Sequence, residues 1–268
     1  MIIRHLGSRI RQPSQSLERT GDSAATVRGQ LRWWLFAIAL RNQFAAAQLA
    51  TVRLPRISDE WGALMRIAED DLIAGIVAFE ENERRDAMYK VATFLVRHFW
   101  GKPSDMADGL GVLLLTWNQA FYRYGGFDFE LLENCISGNF ESLVAFRRRD
   151  LLSYSPADDA DVKRLFSDFL EALRIRKNGD IGPKSPVAVS KALHLLAPGF
   201  FALWDVEIAK AYGCAYSNSP AEKYIRFMRK QRDILHRINN NLVSTSSDKT
   251  MLKLLDEYNY SKFTKHWI

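Results

Sequence analysis

The sequence predicts a mostly α-helical fold, one domain over residues 1–268 with room for two lobes. Three observations carry this. Apolar residues recur at helical spacing along most of the chain, helix start and stop signals punctuate them, and no alternating strand pattern recurs with hairpin turns. With 47% hydrophobic residues in 268, the chain has enough apolar surface to bury a substantial core.

Asp22 or Ser23 caps a first helix running to about residue 48, and the pattern resumes over 59–78 and 83–100. Trp100-Gly101-Lys102-Pro103 is a stop signal, after which Ser104 and Asp105 open a segment that becomes GVLLLTWNQAFYRY at 111–124. Gly125-Gly126 ends it, and FDFELLENCI forms a short helix. Pro156, with Asp158 and Asp159, starts a helix through KRLFSDFLEALRIR, whose basic end suits the helix dipole. Further helices are expected over 186–197, 205–213 and 220–240, then a polar run, NNNLVSTSSDK, and a last helix near 249–258.

Composition narrows the function. A formal charge of +6 favours an anionic partner such as nucleic acid, or marks an ordinary basic protein. Seven Trp, nine Tyr and sixteen Phe argue against disorder. The two cysteines, Cys135 and Cys214, lie far apart with no CxxC or Cys/His array, so no metal and no cofactor is expected. Isolated thiols suit a reducing cytoplasm. The apolar run WWLFAIAL at 33–40 is too short to span a bilayer, and Trp33-Trp34 reads as core.

The most informative stretch is GDIGPKSPVAVSKALHLLAPGFFALWD, residues 179–205. Ser185-Pro186 is a helix start, with serine at the N-cap and proline at the first position, where its missing N–H costs nothing. Val189, Ala192, Leu193, Leu195 and Leu196 cover a wide apolar arc. Ser190, Lys191 and His194 share one narrow polar seam, facing either solvent or a cleft. Before the helix, Gly179 and Gly182 flank a turn whose backbone N–H groups could hold a phosphate, or which simply joins two helices.

Ile181-Gly182-Pro183-Lys184, a small-residue helix, PGFFALWD and then VEIAKAYG resemble the helix-hairpin-helix DNA glycosylase superfamily over about 111–213. KSPVAVSKAL is similar to the lysine-bearing helix of archaeal 8-oxoguanine glycosylases. The stretch departs from the family pattern in three ways: GDIG stands for GIG, Pro186 follows Lys184 closely, and Trp204 precedes the aspartate.

The resemblance implies an all-α architecture of two helical lobes, with a helix-hairpin-helix-like motif and a cleft between the lobes. It implies double-stranded DNA as partner and removal of a damaged or modified base flipped into the cleft. Asp205 would stabilise positive charge at the sugar C1′, while Lys184, by its place in the motif, would attack C1′ as a neutral amine, with Lys191 in reserve. If neither lysine attacks, Asp205 activates water.

Trp117, Asn118, Gln119 and Tyr122, with Trp204 and His194, become base-binding candidates, the first four equally readable as a helix passing from core to surface. Gly179, Gly182, Ser185 and the run Arg147-Arg148-Arg149 become candidates for DNA-backbone binding, as does the basic helix 223–237. The unfamiliar N-terminal 110 residues leave room for a bulky modified base in foreign, phage-derived DNA. A catalytically silent nucleic-acid-binding module and a nucleoside or nucleotide N-glycosidase are the alternatives.

Overall fold

The computed structural model describes residues 67–238 and 249–268. The described residues all belong to one compact unit of the chain. The helix expected over 22–48, the start of the one at 59–78, Trp33-Trp34 and most of the polar run lie outside the described residues.

The described part is all-α apart from one two-stranded hairpin. Its helices are α1 Glu69–Asn82, α2 Ala87–His98, α3 Pro103–Trp117, α4 Gln119–Tyr122, α5 Phe129–Gly138 and α6 Phe140–Arg147. These are followed by α7 Asp159–Ala172, α8 Pro186–Leu196, α9 Val206–Ala211, α10 Pro220–Leu235 and α11 Met251–Asn259. A π-helical turn, Tyr260–Thr264, continues α11. Among the described residues no helix is long and apolar enough to cross a membrane.

α8 sits at the centre, against α7, α3 and α2. Its start is as the sequence predicts, with Ser185 Oγ accepting the Ala188 N–H at 3.2 Å and Pro186 following. Val189, Leu193, Leu195 and Leu196 are buried, each contributing roughly 1.5–3 kcal/mol by leaving water. Beyond its end, Phe200 and Phe201 pack on Phe146, and Trp204 packs among Phe166, Tyr224 and Phe227.

Two boundaries depart from expectation for local reasons. The segment expected as one helix through 124 stops at Trp117, and Asn118 (φ −111°, ψ 32°) separates α3 from the four-residue α4. Residues 173–185 hold the hairpin β1 Arg176–Lys177 and β2 Asp180–Ile181. Asn178 and Gly179 both have positive φ (51° and 87°), which suits a two-residue turn with two left-handed positions. The strands are too short to show alternation in sequence.

α11 packs on α1 and is tied to the loop after α8. Thr250 Oγ1 caps it by accepting the Lys253 N–H, and donates to Pro198 O, both at 3.1 Å. That tie brings a distant C-terminal segment to the end of the central helix.

Candidate functional site

The polar seam of α8 meets protein rather than open solvent. Ser190 Oγ lies 3.0 Å from the carbonyls of Val187 and Trp204. His194 is wholly buried, with Nδ1 2.7 Å from Phe201 O and Nε2 3.1 Å from Tyr89 Oη. Because the carbonyl only accepts, Nδ1 carries the proton and Nε2 accepts from the tyrosine. Burial pushes the imidazole down to about 4, against the Phe201 bond and with the help of Lys253. His194 is therefore a neutral strut between α2 and the loop after α8.

Lys191 is the member of the seam that reaches a cavity. A pocket of about 270 Å³ is lined by Trp117, Lys191, Leu203, Trp204, Asp205, Ile208, Asp256 and Tyr260. Lys191 Nζ donates to Asn118 Oδ1 at 2.6 Å and to Trp117 O at 3.3 Å, and lies 4.5 Å from the centre of the Trp117 ring. The Trp117 carbonyl is free to accept because α3 ends there. Burial pushes the ammonium down to about 8, while Asp256 and Asp205 pull the other way.

Asp205 is the N-cap of α9. Its Oδ1 accepts the Ile208 N–H at 2.7 Å, and Oδ2 accepts the Thr264 hydroxyl at 2.6 Å. Both oxygens are thus fixed in direction, and each keeps a second lone pair. Asp256, on α11, is the other carboxylate of the pocket. Burial pushes it up to about 6, opposed by Lys253 and reinforced by Glu257 and Asp205.

The remaining sequence candidates fall into three environments. Trp117 and Trp204 line the pocket, and buried Asn118 holds the lysine. Gln119 is exposed on α4, while Tyr122 is buried with its hydroxyl donating to Leu173 O at 2.8 Å, a tie within the fold. Lys184 lies outside the pocket lining and is paired with Glu171, whose carboxyl it holds below the usual range.

The backbone-binding candidates are largely engaged inside the protein. Gly182 donates its N–H to Ile175 O at 2.8 Å, so that group is spent on the hairpin rather than offered to a phosphate. A Cβ there would meet Ile175 at 3.0 Å, which explains a glycine at this crossing. Gly179 supplies the turn and Ser185 the cap.

Arg147 caps the carboxyl end of α8 by donating to Leu196 O at 2.6 Å, its guanidinium 4.0 Å from the Trp100 ring centre. Arg149 forms a bidentate pair with Asp158, and Arg148 is exposed. On α10, Arg229 pairs with Asp159 and Arg232 donates to Tyr154 O.

The structure therefore brings together Lys191, Asp205, Trp117, Asn118 and Trp204, and leaves Lys184 elsewhere. Sequence reasoning missed Asp256, Tyr260 and Thr264. The adjacent acidic pair Asp256-Glu257, set among Leu254, Leu255, Tyr258 and Tyr260, was the available signal for Asp256, and Thr264 gave none.

Among the described residues no group of three or more His, Cys, Asp or Glu side chains is placed to hold a metal ion. No family model, no curated protein and no solved structure matches this chain.

Proposed function

We propose that the chain is a DNA N-glycosylase that works in this pocket, with Lys191 as the nucleophile and Asp205 stabilising charge at the sugar C1′. The observation that carries the reading is that a lysine lowered to about 8 lines one pocket with an aspartate held by two donors. An amine attacks only through its neutral form, and a value near 8 leaves about a tenth of it neutral at pH 7. Breaking the glycosidic bond builds positive charge on the sugar, which a fixed carboxylate stabilises before any reorganisation is needed. Trp117 and Trp204 supply aromatic walls of the kind that receive a flipped base.

At about 270 Å³ the pocket lies just below the roughly 300–1,000 Å³ that drug-sized ligands occupy. This favours a single compact heterocycle over a bulky adduct, and weighs against the phage-base variant of the proposal. A cytoplasmic setting belongs to the same reading, supported by Cys135 and Cys214 being free thiols.

The test is incubation of the chain with duplexes carrying one 8-oxoguanine, hypoxanthine or uracil, with and without borohydride. A covalent adduct lost in Lys191→Ala and kept in Lys184→Ala is expected, as is loss of base release in Asp205→Asn. Loss of the adduct in Lys184→Ala alone returns the nucleophile to the hairpin, and base release intact in Asp205→Asn sinks the catalytic reading.

One observation favours a second reading, a nucleoside N-glycosidase. Arg147, Arg149, Arg229 and Arg232 all spend hydrogen bonds or ion pairs within the fold rather than lying free for a phosphate backbone. Base release from free nucleosides without salt-dependent duplex binding would favour it.

A further inference from the structure

The pocket contains an ionisable group that the glycosylase reading leaves idle. Asp256 is carried in from α11, and its side chain is only 14% exposed. On its own helix it faces Lys253, whose Nζ lies 3.5 Å from Oδ2, and Glu257. From other elements it faces Asp205 and Lys191 across the pocket, and Tyr89 on α2. Oδ2 is engaged by Lys253, whereas Oδ1 accepts no protein hydrogen bond among the described residues. Asp205 differs, because both its oxygens already accept from protein donors. An acceptor fixed on two sides suits charge stabilisation, and a carboxyl with one open oxygen suits proton transfer.

We propose that Asp256 is the catalytic proton donor to the departing base. The inference rests on the glycosylase reading above. Lys191 Nζ gives its lone pair to C1′ while the C1′–N bond breaks, and that bond's electron pair leaves on the base nitrogen. The base nitrogen takes the Asp256 carboxyl proton, so the heterocycle departs neutral. The Asp256 carboxylate then accepts a proton from the secondary ammonium formed at Nζ, which restores the carboxyl. As the C1′–O4′ bond breaks and the imine forms, that proton passes to O4′. The products are a neutral base, a protonated Schiff base and the Asp256 carboxylate. The carboxyl stands at about 6, raised by burial against Lys253, close to the pH at which a general acid is most effective.

The experiment uses the full chain and two probes: a duplex with one 8-oxoguanine, hypoxanthine or uracil, and a duplex with a preformed abasic site. With the first, wild-type release follows a bell with limbs near 6 and 8. Asp256→Asn should slow release by at least about 100-fold, the lower end for an assisted proton transfer. The remaining rate should no longer fall on the alkaline side, and Asp256→Glu should restore that fall. With the abasic duplex there is no base to expel, and its open-chain aldehyde already carries O4′ as a hydroxyl. Neither proton step assigned to Asp256 is then needed, and Asp256→Asn should still be trapped by borohydride.

Release by Asp256→Asn with the wild-type rate and pH profile, alongside loss in Lys191→Ala, overturns this inference and leaves the glycosylase reading standing. Equal loss of release and of abasic trapping in Asp256→Asn marks a structural role and also overturns it. A wild-type chain that releases no base from any duplex overturns both.

Discussion

Lys191 and Lys253 are both largely buried, both lie against aromatic rings, and both are within reach of Asp256, yet they are driven in opposite directions. Lys191 donates to an amide oxygen and a carbonyl, and burial brings it down to about 8. Lys253, 3% exposed, lies 3.4 Å from Asp86, 3.5 Å from Asp256 and 3.5 Å from Glu257. Burial opposes its charge too, but Asp256, Asp86 and Glu257 together hold it above the usual lysine value. Depth alone therefore does not make a lysine reactive. What decides is whether the hydrogen-bond partners are neutral or charged. Lys253 holds its acidic neighbours in place, whereas Lys191 is left poised to lose its proton.

The largest effect should come from cutting the second cluster. Lys253→Met leaves Asp86, Asp256 and Glu257 without their shared cation, and breaking a buried pair in this way costs about 3–5 kcal/mol. Urea unfolding measures it, and a loss below about 1 kcal/mol, the range of an exposed pair, would break the comparison.

Next comes conversion of one environment into the other. Asn118→Asp places a carboxylate where the amide oxygen now meets Nζ, and should raise the Lys191 titration by roughly one to three pH units. Side-chain NMR reads the titration, and adduct formation at pH 7 should fall in step.

A third effect concerns stability against pH. The folded value of Lys191 is about 8 and the unfolded value roughly 10.4, so between them the unfolded chain binds more protons. Stability contributed by this site therefore rises as pH rises through that window, and Lys191→Met should remove the rise in unfolding titrations. Asp256 runs with the opposite slope. Its folded value of about 6 exceeds the unfolded value of roughly 3.9, so its contribution is present at low pH and is lost as pH climbs between them.

The smallest effect is that of Asp256→Asn on the lysine itself. Removing one opposing charge should lower the Lys191 titration further, by less than Asn118→Asp raises it.

Much of the helical scaffold was readable from local signals. Serine before proline marks the start of α8, and the stop at Gly101-Lys102-Pro103 separates α2 from α3. The break at Asn118 was not readable, because GVLLLTWNQAFYRY keeps its periodicity across it. The hairpin was missed although Asn178-Gly179 is a strong turn pair, since two-residue strands leave no alternation to detect.

At the site, Asp205 and Lys191 were legible as residue types in one motif-like stretch, but the order of preference between Lys191 and Lys184 was not. Spacing placed Lys184 first, whereas the pairing with Glu171 and the hydrogen bond to Asn118 are tertiary facts. Asp256 lies outside the segment that carried the resemblance, and only folding brings it to the pocket.

The bond from Thr264 to Asp205 spans 59 residues of chain, and with it the last twenty residues become part of the site. The segment 111–213 is therefore no portable cassette. Excised or grafted alone, it would lose the hydroxyl that orients Asp205, the second carboxylate and a wall of the pocket, while its motif stayed intact letter for letter. Any search for similar sites that scores only the motif would accept such a fragment, and any that also demands a C-terminal Asp and Thr would reject it.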